Sequence, residues 1–158
     1  MDFKWKKYMS SREGKGFFKW IFVLSFLILP ACRHPPTESQ LCFKDHCFQI
    51  ELALTVEEQH KGLMFRESLD PKRGMLFIFQ TSDRPGFWMK NTKIPLDILW
   101  LNEGLNIVDM ALQSPPCQSD PCPIYYPQNL ARYVLEVNAG MAQKIGIAIG
   151  DHAEFQLK

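Results

Sequence analysis

A chain of 158 residues, 46% hydrophobic and 22% charged, amounts to one globular domain, which excludes a collagenous, mucin-like or mostly disordered protein. The formal charge of +1 hides an asymmetry: six of the 18 Lys/Arg and two of the 17 Asp/Glu lie in residues 1–31, leaving 12 cations against 15 anions and a net of −3 elsewhere. A mildly acidic body with no Lys/Arg stripe lacks the clustered cations that phosphate backbones demand, so nucleic acid is excluded as the expected partner.

In chain order, Lys4, Lys6, Lys7, Arg12, Lys15 and Lys19 precede the run Ile21–Leu29 and then Pro30-Ala31-Cys32. A charged segment, a short apolar segment and a small residue before a cleavage point have the form of an export signal. Phe17–Leu29 is thirteen residues broken by Lys19, whereas a bilayer-spanning helix needs about twenty apolar residues. The stretch Leu29-Pro30-Ala31-Cys32 resembles a bacterial lipoprotein signal, in which the cysteine becomes the lipidated first residue. Residues 1–31 are therefore expected to be a lipoprotein-type signal peptide, Cys32 the lipidation site, 32–40 a flexible tether and 41–158 a single domain. Initiation at Met9 would give a shorter leader. Secretion with Cys32 unmodified and an uncleaved anchor are the alternatives, and all place the domain outside the cytoplasm, in the cell envelope. By resemblance to known sorting signals, Arg33 after Cys32 points to the periplasmic side of the outer membrane in a Gram-negative cell.

Without Cys32 four cysteines remain, Cys42, Cys47, Cys117 and Cys122. In an oxidising compartment they are expected to form disulfides. Three pairings are open; Cys42–Cys47 and Cys117–Cys122 are favoured, because a strand, a turn and a returning strand bring Cys42 to Cys47. A four-thiolate zinc site is the less favoured rival, since zinc pairs are usually two to four apart and thiols seldom stay reduced outside the cytoplasm.

Phe48, Ile50, Leu52 and Leu54 alternate with Gln49, Glu51 and Ala53, the period of a half-buried strand. Thr55 and Glu58 then make a capping box for a two-turn helix with Val56, His60 and Leu63 on one face and Gly62 as its stop. Strands are predicted at Arg73–Phe79, Phe87–Met89, Leu96–Leu101 (opened by Pro95), Leu105–Leu112 after the turn Asn102-Glu103-Gly104, around Tyr133–Val137, and at Ala153–Leu157. Ser114–Gln128, with five prolines, is expected to be an ordered loop or added turn, and a second short helix to run between Asn138 and Gly146. The expected fold is α+β: a compact, mainly antiparallel, barrel-like sheet with one or two short helices, its connections mostly too short for parallel crossovers.

The blocks Gly62-Leu63-Met64-Phe65-Arg66, Arg73-Gly74-Met75-Leu76-Phe77, Phe87-Trp88-Met89-Lys90-Asn91-Thr92, Ile94-Pro95-Leu96-Asp97-Ile98, Ala131–Gly140 and Gly150-Asp151 resemble, in the same order, the family called domain of unknown function 192. The likeness runs from about Phe48 to the end. It implies a small, β-rich, often exported domain whose activity is not established, and the clip at Cys42 and Cys47 is a departure from it.

Asp97 is the sharpest chemical feature, sharing a strand face with Leu99 and Leu101. A carboxylate on an apolar face must be paired, hydrogen-bonded or protonated. It is expected beside Arg66 or Lys93, either as a structural ion pair or as a general acid/base or ligand anion. Trp88 and Asn91 offer an aromatic platform beside an amide, which suits a sugar or peptide. Met64, Met75, Met89, Met110 and Met141 with His46, His60 and His152 raise copper, but they form no Met-x-x-Met or His-x-x-x-His cluster, and core filling accounts for the methionines. No nucleophile elbow, phosphate loop or dinucleotide fingerprint is present, so no cofactor is expected. The expectation is a lipid-anchored binding or accessory module presenting Arg66, Trp88, Asn91 and Asp97 to a cell-wall, peptide or protein ligand. The alternative is a small hydrolase or lyase with Asp97 as acid/base and Arg66 as clamp.

Overall fold

The computed structural model describes residues 39–157, so the expected leader, Cys32 and the expected tether up to residue 38 lie outside the described residues. The elements are β1 (Ser39–Phe43), β2 (His46–Ala53), α1 (Val56–Lys61), β3 (Arg73–Asp83), β4 (Phe87–Trp88), β5 (Leu96–Leu101), β6 (Ile107–Ser114), β7 (Ile124–Tyr125), β8 (Ala131–Asn138), α2 (Met141–Ile145) and β9 (Glu154–Leu157). Seven strands form one sheet in the order β6-β5-β8-β3-β2-β1-β9, and β4 with β7 forms a small ribbon. The fold is the expected α+β, mostly antiparallel.

One pair departs from the antiparallel majority. β2 and β3 are parallel, with Ile50 opposite Gly74 and Leu52 opposite Leu76. The stretch 54–72 between them holds α1 and is long enough for a crossover, which needs about a dozen residues. The strand entering the domain starts at Ser39, two residues before the expected boundary. Strand pairing does not close the sheet into a barrel. Its two ends are fastened at one corner by the bridge between Asn106 and His152 and by the bonds from Ile107 N to Asp151 O and from Ala153 N to Leu105 O.

The sheet is buried on both faces at its centre, which explains why β5, Asp97 apart, reads as an apolar run. Leu99 and Leu101 with Leu135, Val137, Leu41 and Phe43 fill one core; Leu96, Ile98 and Trp100 with Val134, Phe77 and Phe87 fill the other. The second core lies under the turn after α1 and under the β4–β7 ribbon, and that is where the clefts open.

The capping box forms as read: Glu58 N donates to Thr55 Oγ1 and the Glu58 carboxylate accepts from Thr55 N. The helical face does not, since no residue of α1 is buried and Val56 is 84% exposed. Two turns are too few to carry an apolar stripe, and Leu63 reaches the core only after Gly62 has turned the chain. Cys42 lies directly opposite Cys47 across β1 and β2, and disulfides join Cys42 to Cys47 and Cys117 to Cys122.

Candidate functional site

α1 is fixed to the sheet by Gln59, whose side-chain amide donates to the carbonyls of Ala53 and Ile78. Gly62 then reverses the chain at a φ of 46°, and a Cβ there would lie 3.2 Å from the Phe77 ring. A bare glycine therefore lets this turn settle over Phe77. Facing it, β4 is held by Phe87, whose ring packs edge-on against Phe77 and Trp100 at 4.8 and 6.1 Å, while Trp100 Nε1 donates to Pro85 O. Gly86 admits Tyr126: a Cβ at that position would sit 2.5 Å from its ring.

With Phe87 pointing in, Trp88 must point out, because strand neighbours alternate. Its indole is 37% exposed. His60 meets it edge-on at 6.1 Å between ring centroids, and Lys90 Nζ lies 5.5 Å from its centroid. Between α1 and the β4–β7 ribbon opens an outer cleft of about 370 Å³, walled by Phe79, Trp88, Ile124 and Tyr126 with Gln59 and His60 at its side. An inner cavity of about 30 Å³ adjoins it, sharing Gln59, His60, Phe87 and Trp88 and lined also by Leu63, Phe77, Thr92 and Glu136.

Glu136 is the residue that the sequence reading did not single out. It stands on β8 between Met75 and Ile98 of the neighbouring strands, is 5% exposed, and its carboxyl hydrogen-bonds to no side chain or backbone group among the described residues. Burial pushes its carboxyl up to about 8, against a smaller downward pull from Arg66. A period-two strand over Arg132–Val137 turns Glu136 to the side opposite Tyr133, Leu135 and Val137, but β8 is a central strand and both its sides are covered. The signal available was a lone acid inside an apolar block, the same signal that drew attention to Asp97.

The expected constellation of Arg66, Trp88, Asn91 and Asp97 does not assemble as one group. Arg66 forks onto Glu51, both bonds 2.7 Å, and holds that carboxyl below the usual glutamate range. Lys93 pairs with Glu67. Asp97 therefore pairs with neither cation: fully buried, it accepts the backbone N–H groups of Gln113 and Ala142. It lines none of the clefts described here. Asn91 adopts a left-handed φ of 56°, its carbonyl accepting Phe65 N, and borders a separate recess of about 150 Å³ beside Cys117–Asp120. Trp88 alone of the four borders the outer cleft. Met75 and Met89 are buried in the second core, and Met110 and Met141 pack against the first. Among the described residues no three His, Cys, Asp or Glu side chains gather as metal ligands would.

The model of domain of unknown function 192, described as an uncharacterized ACR, matches residues 39–155. The UPF0127 protein PF1050 of Pyrococcus furiosus is 23% identical over 117 residues, covering 71% of this chain and 90% of that protein. A protein of unknown function from Novosphingobium aromaticivorans, solved by crystallography, superposes with a TM-score of 0.67 at 35% identity, covering 74% of this chain and 83% of its own. A Sinorhizobium meliloti protein, provisionally described as a transcription regulator, superposes at 0.68 with 32% identity, covering 75% and 92%.

Proposed function

This chain belongs to the family of domain of unknown function 192, and from that premise we propose that it is an exported, lipid-anchored module that binds a ligand in the cleft beside Trp88. The anchor rests on the leader, with Cys32 as lipidated residue and 32–40 as tether, and on the cysteine usage of the body. The observation carrying the binding reading is the outer cleft itself, about 370 Å³ with aromatic walls and an exposed indole at its rim. Concave, mainly apolar clefts with a few polar groups are the usual form of a ligand site. The ligand is a cell-wall fragment, a peptide or a segment of a partner protein. Nucleic acid is disfavoured, because Lys90, Lys93, Arg66 and Arg132 are each paired with a carboxylate.

Two measurements test this reading. Cells expressing the full chain and fed labelled palmitate incorporate label into the wild type and not into Cys32→Ala. The full chain in detergent is melted with cell-wall fragments and short peptides; a stabilising shift that vanishes in Trp88→Ala is expected. Turnover of a bond in any of these compounds would replace the binding reading with an enzymatic one. In that second reading the acid/base is Glu136, which borders a cavity, and not Asp97, whose oxygens are both spent on backbone N–H groups. Activity lost in Glu136→Gln and kept in Asp97→Asn is its signature.

A further inference from the structure

A buried polar side chain is normally satisfied by a partner. Glu136 is buried, its carboxyl hydrogen-bonds to no group among the described residues, and it borders a cavity of about 30 Å³, room for one small polar group. That cavity opens beside the outer cleft, with which it shares Gln59, His60, Phe87 and Trp88. We propose that the outer cleft takes an uncharged saccharide, one of whose hydroxyl or acetamido oxygens enters the inner cavity and accepts a hydrogen bond from the Glu136 carboxyl. This rests on the cleft beside Trp88 being the binding site and specifies its ligand.

The surroundings select a neutral ligand. Leu63, Phe77 and Phe87 offer nothing to solvate a charge, and burying an unpaired charge is costly. The charged and titratable groups facing Glu136 are His60 and Lys61 on the α1 side of the cavity and Arg66, already neutralised by Glu51. Lys90 stands near the Trp88 ring and is paired with Asp120.

The walls suit a sugar. Trp88, Tyr126 and Phe79 line the cleft with aromatic side chains against which the C–H face of a pyranose can pack, and Gln59, whose amide nitrogen is spent on Ala53 and Ile78, has an oxygen that accepts from no group among the described residues and can accept from a hydroxyl. A carboxyl raised to about 8 by burial keeps its proton near neutral pH and is then a donor.

The test is calorimetric titration of the full chain in detergent with the N-acetylglucosamine trimer at pH 6 and pH 9. Affinity is expected to be about tenfold weaker at pH 9, where most of the Glu136 donor is lost. In Glu136→Gln, whose amide still donates, affinity at pH 6 stays within a few-fold and the pH dependence disappears; in Trp88→Ala binding is lost at both values. Affinity rising toward pH 9, or a profile unchanged in Glu136→Gln, overturns the assignment of Glu136 as donor. A trimer that does not bind, while trialanine binds in a Trp88-dependent manner, overturns the saccharide and leaves the cleft as a site. Absence of Trp88-dependent binding by either probe overturns both. Circular dichroism of each variant confirms that it is folded.

Discussion

The carboxylate of Asp97 in β5 accepts the backbone N–H of Ala142 at 2.9 Å, capping from across the sheet a helix whose own N-cap, Gly140, has no side chain to do it. Its other oxygen accepts from Gln113 N at 2.8 Å, where β6 bulges and Gln113 takes a left-handed φ of 52°. One buried acceptor thus holds two backbone irregularities. Replacing it by alanine strands the buried N–H of Ala142 and the part-buried N–H of Gln113 and is expected to cost about 2–4 kcal/mol; Asp97→Asn, which keeps one acceptor, is expected to cost about 1–3. Urea denaturation of the full chain measures both, and ligand affinity of the folded fraction stays unchanged.

Glu136 makes stability fall with rising pH. Its folded-state value, about 8, lies above the ordinary 4.5, so between those values the native chain holds a proton that the unfolded chain has released. Its contribution is complete below about pH 4.5 and declines by roughly 1.4 kcal/mol per pH unit until the native carboxyl ionises. Glu136→Gln removes that slope, so relative to wild type the variant gains stability progressively from pH 5 to pH 9. Denaturation midpoints at pH 5, 7 and 9 check it; parallel profiles in the two proteins contradict it.

Arg66 tunes that titration. It draws Glu136 down, so Arg66→Met is expected to move the midpoint of the Glu136-dependent profile upward. The same substitution frees Glu51, whose folded-state value lies below the ordinary one. The stability due to that pair is present above the ordinary glutamate value and lost as pH falls through the lowered one. With both side chains about a third exposed, solvent screening keeps the pair's worth near 1 kcal/mol or less.

Each disulfide closes a small ring, and the loop-entropy relation gives about 2 kcal/mol for it. Cys42→Ser with Cys47→Ser is expected to lower stability by that amount and leave the cleft beside Trp88 intact. Melting with and without a reductant, in wild type and in this double variant, separates the two clips.

The sheet was legible wherever period two survived and wherever punctuation was local. Phe48–Leu54, Leu96–Leu101 and the capping box at Thr55 and Glu58 each carry their own signal, and Cys42 and Cys47 flank a turn short enough to read. The crossover between β2 and β3 was not legible, because α1 buries nothing and leaves no apolar stripe to mark it. The candidate site was legible in part: Trp88 stood out as an aromatic platform near the Asn91 amide, though the two border different clefts. Asp97 and Glu136 present the same pattern, an acid in an apolar strand. What separates them is whether a backbone N–H from another part of the chain reaches the carboxylate, and that depends on β6 and α2, far away in sequence. Arg66 finds Glu51 for the same kind of reason, since only the parallel pairing of β2 and β3 sets the turn after α1 above that strand.

The clip between β1 and β2 also decides how the domain bears tension. A pull on the chain entering at Ser39 can peel Ser39, Gln40 and Leu41 from their partners on β2 and β9, and there the peeling stops. At Cys42 the load crosses the sulfur bridge to Cys47, bypasses the turn, and passes directly into β2, whose parallel partner β3 is buried between the two cores.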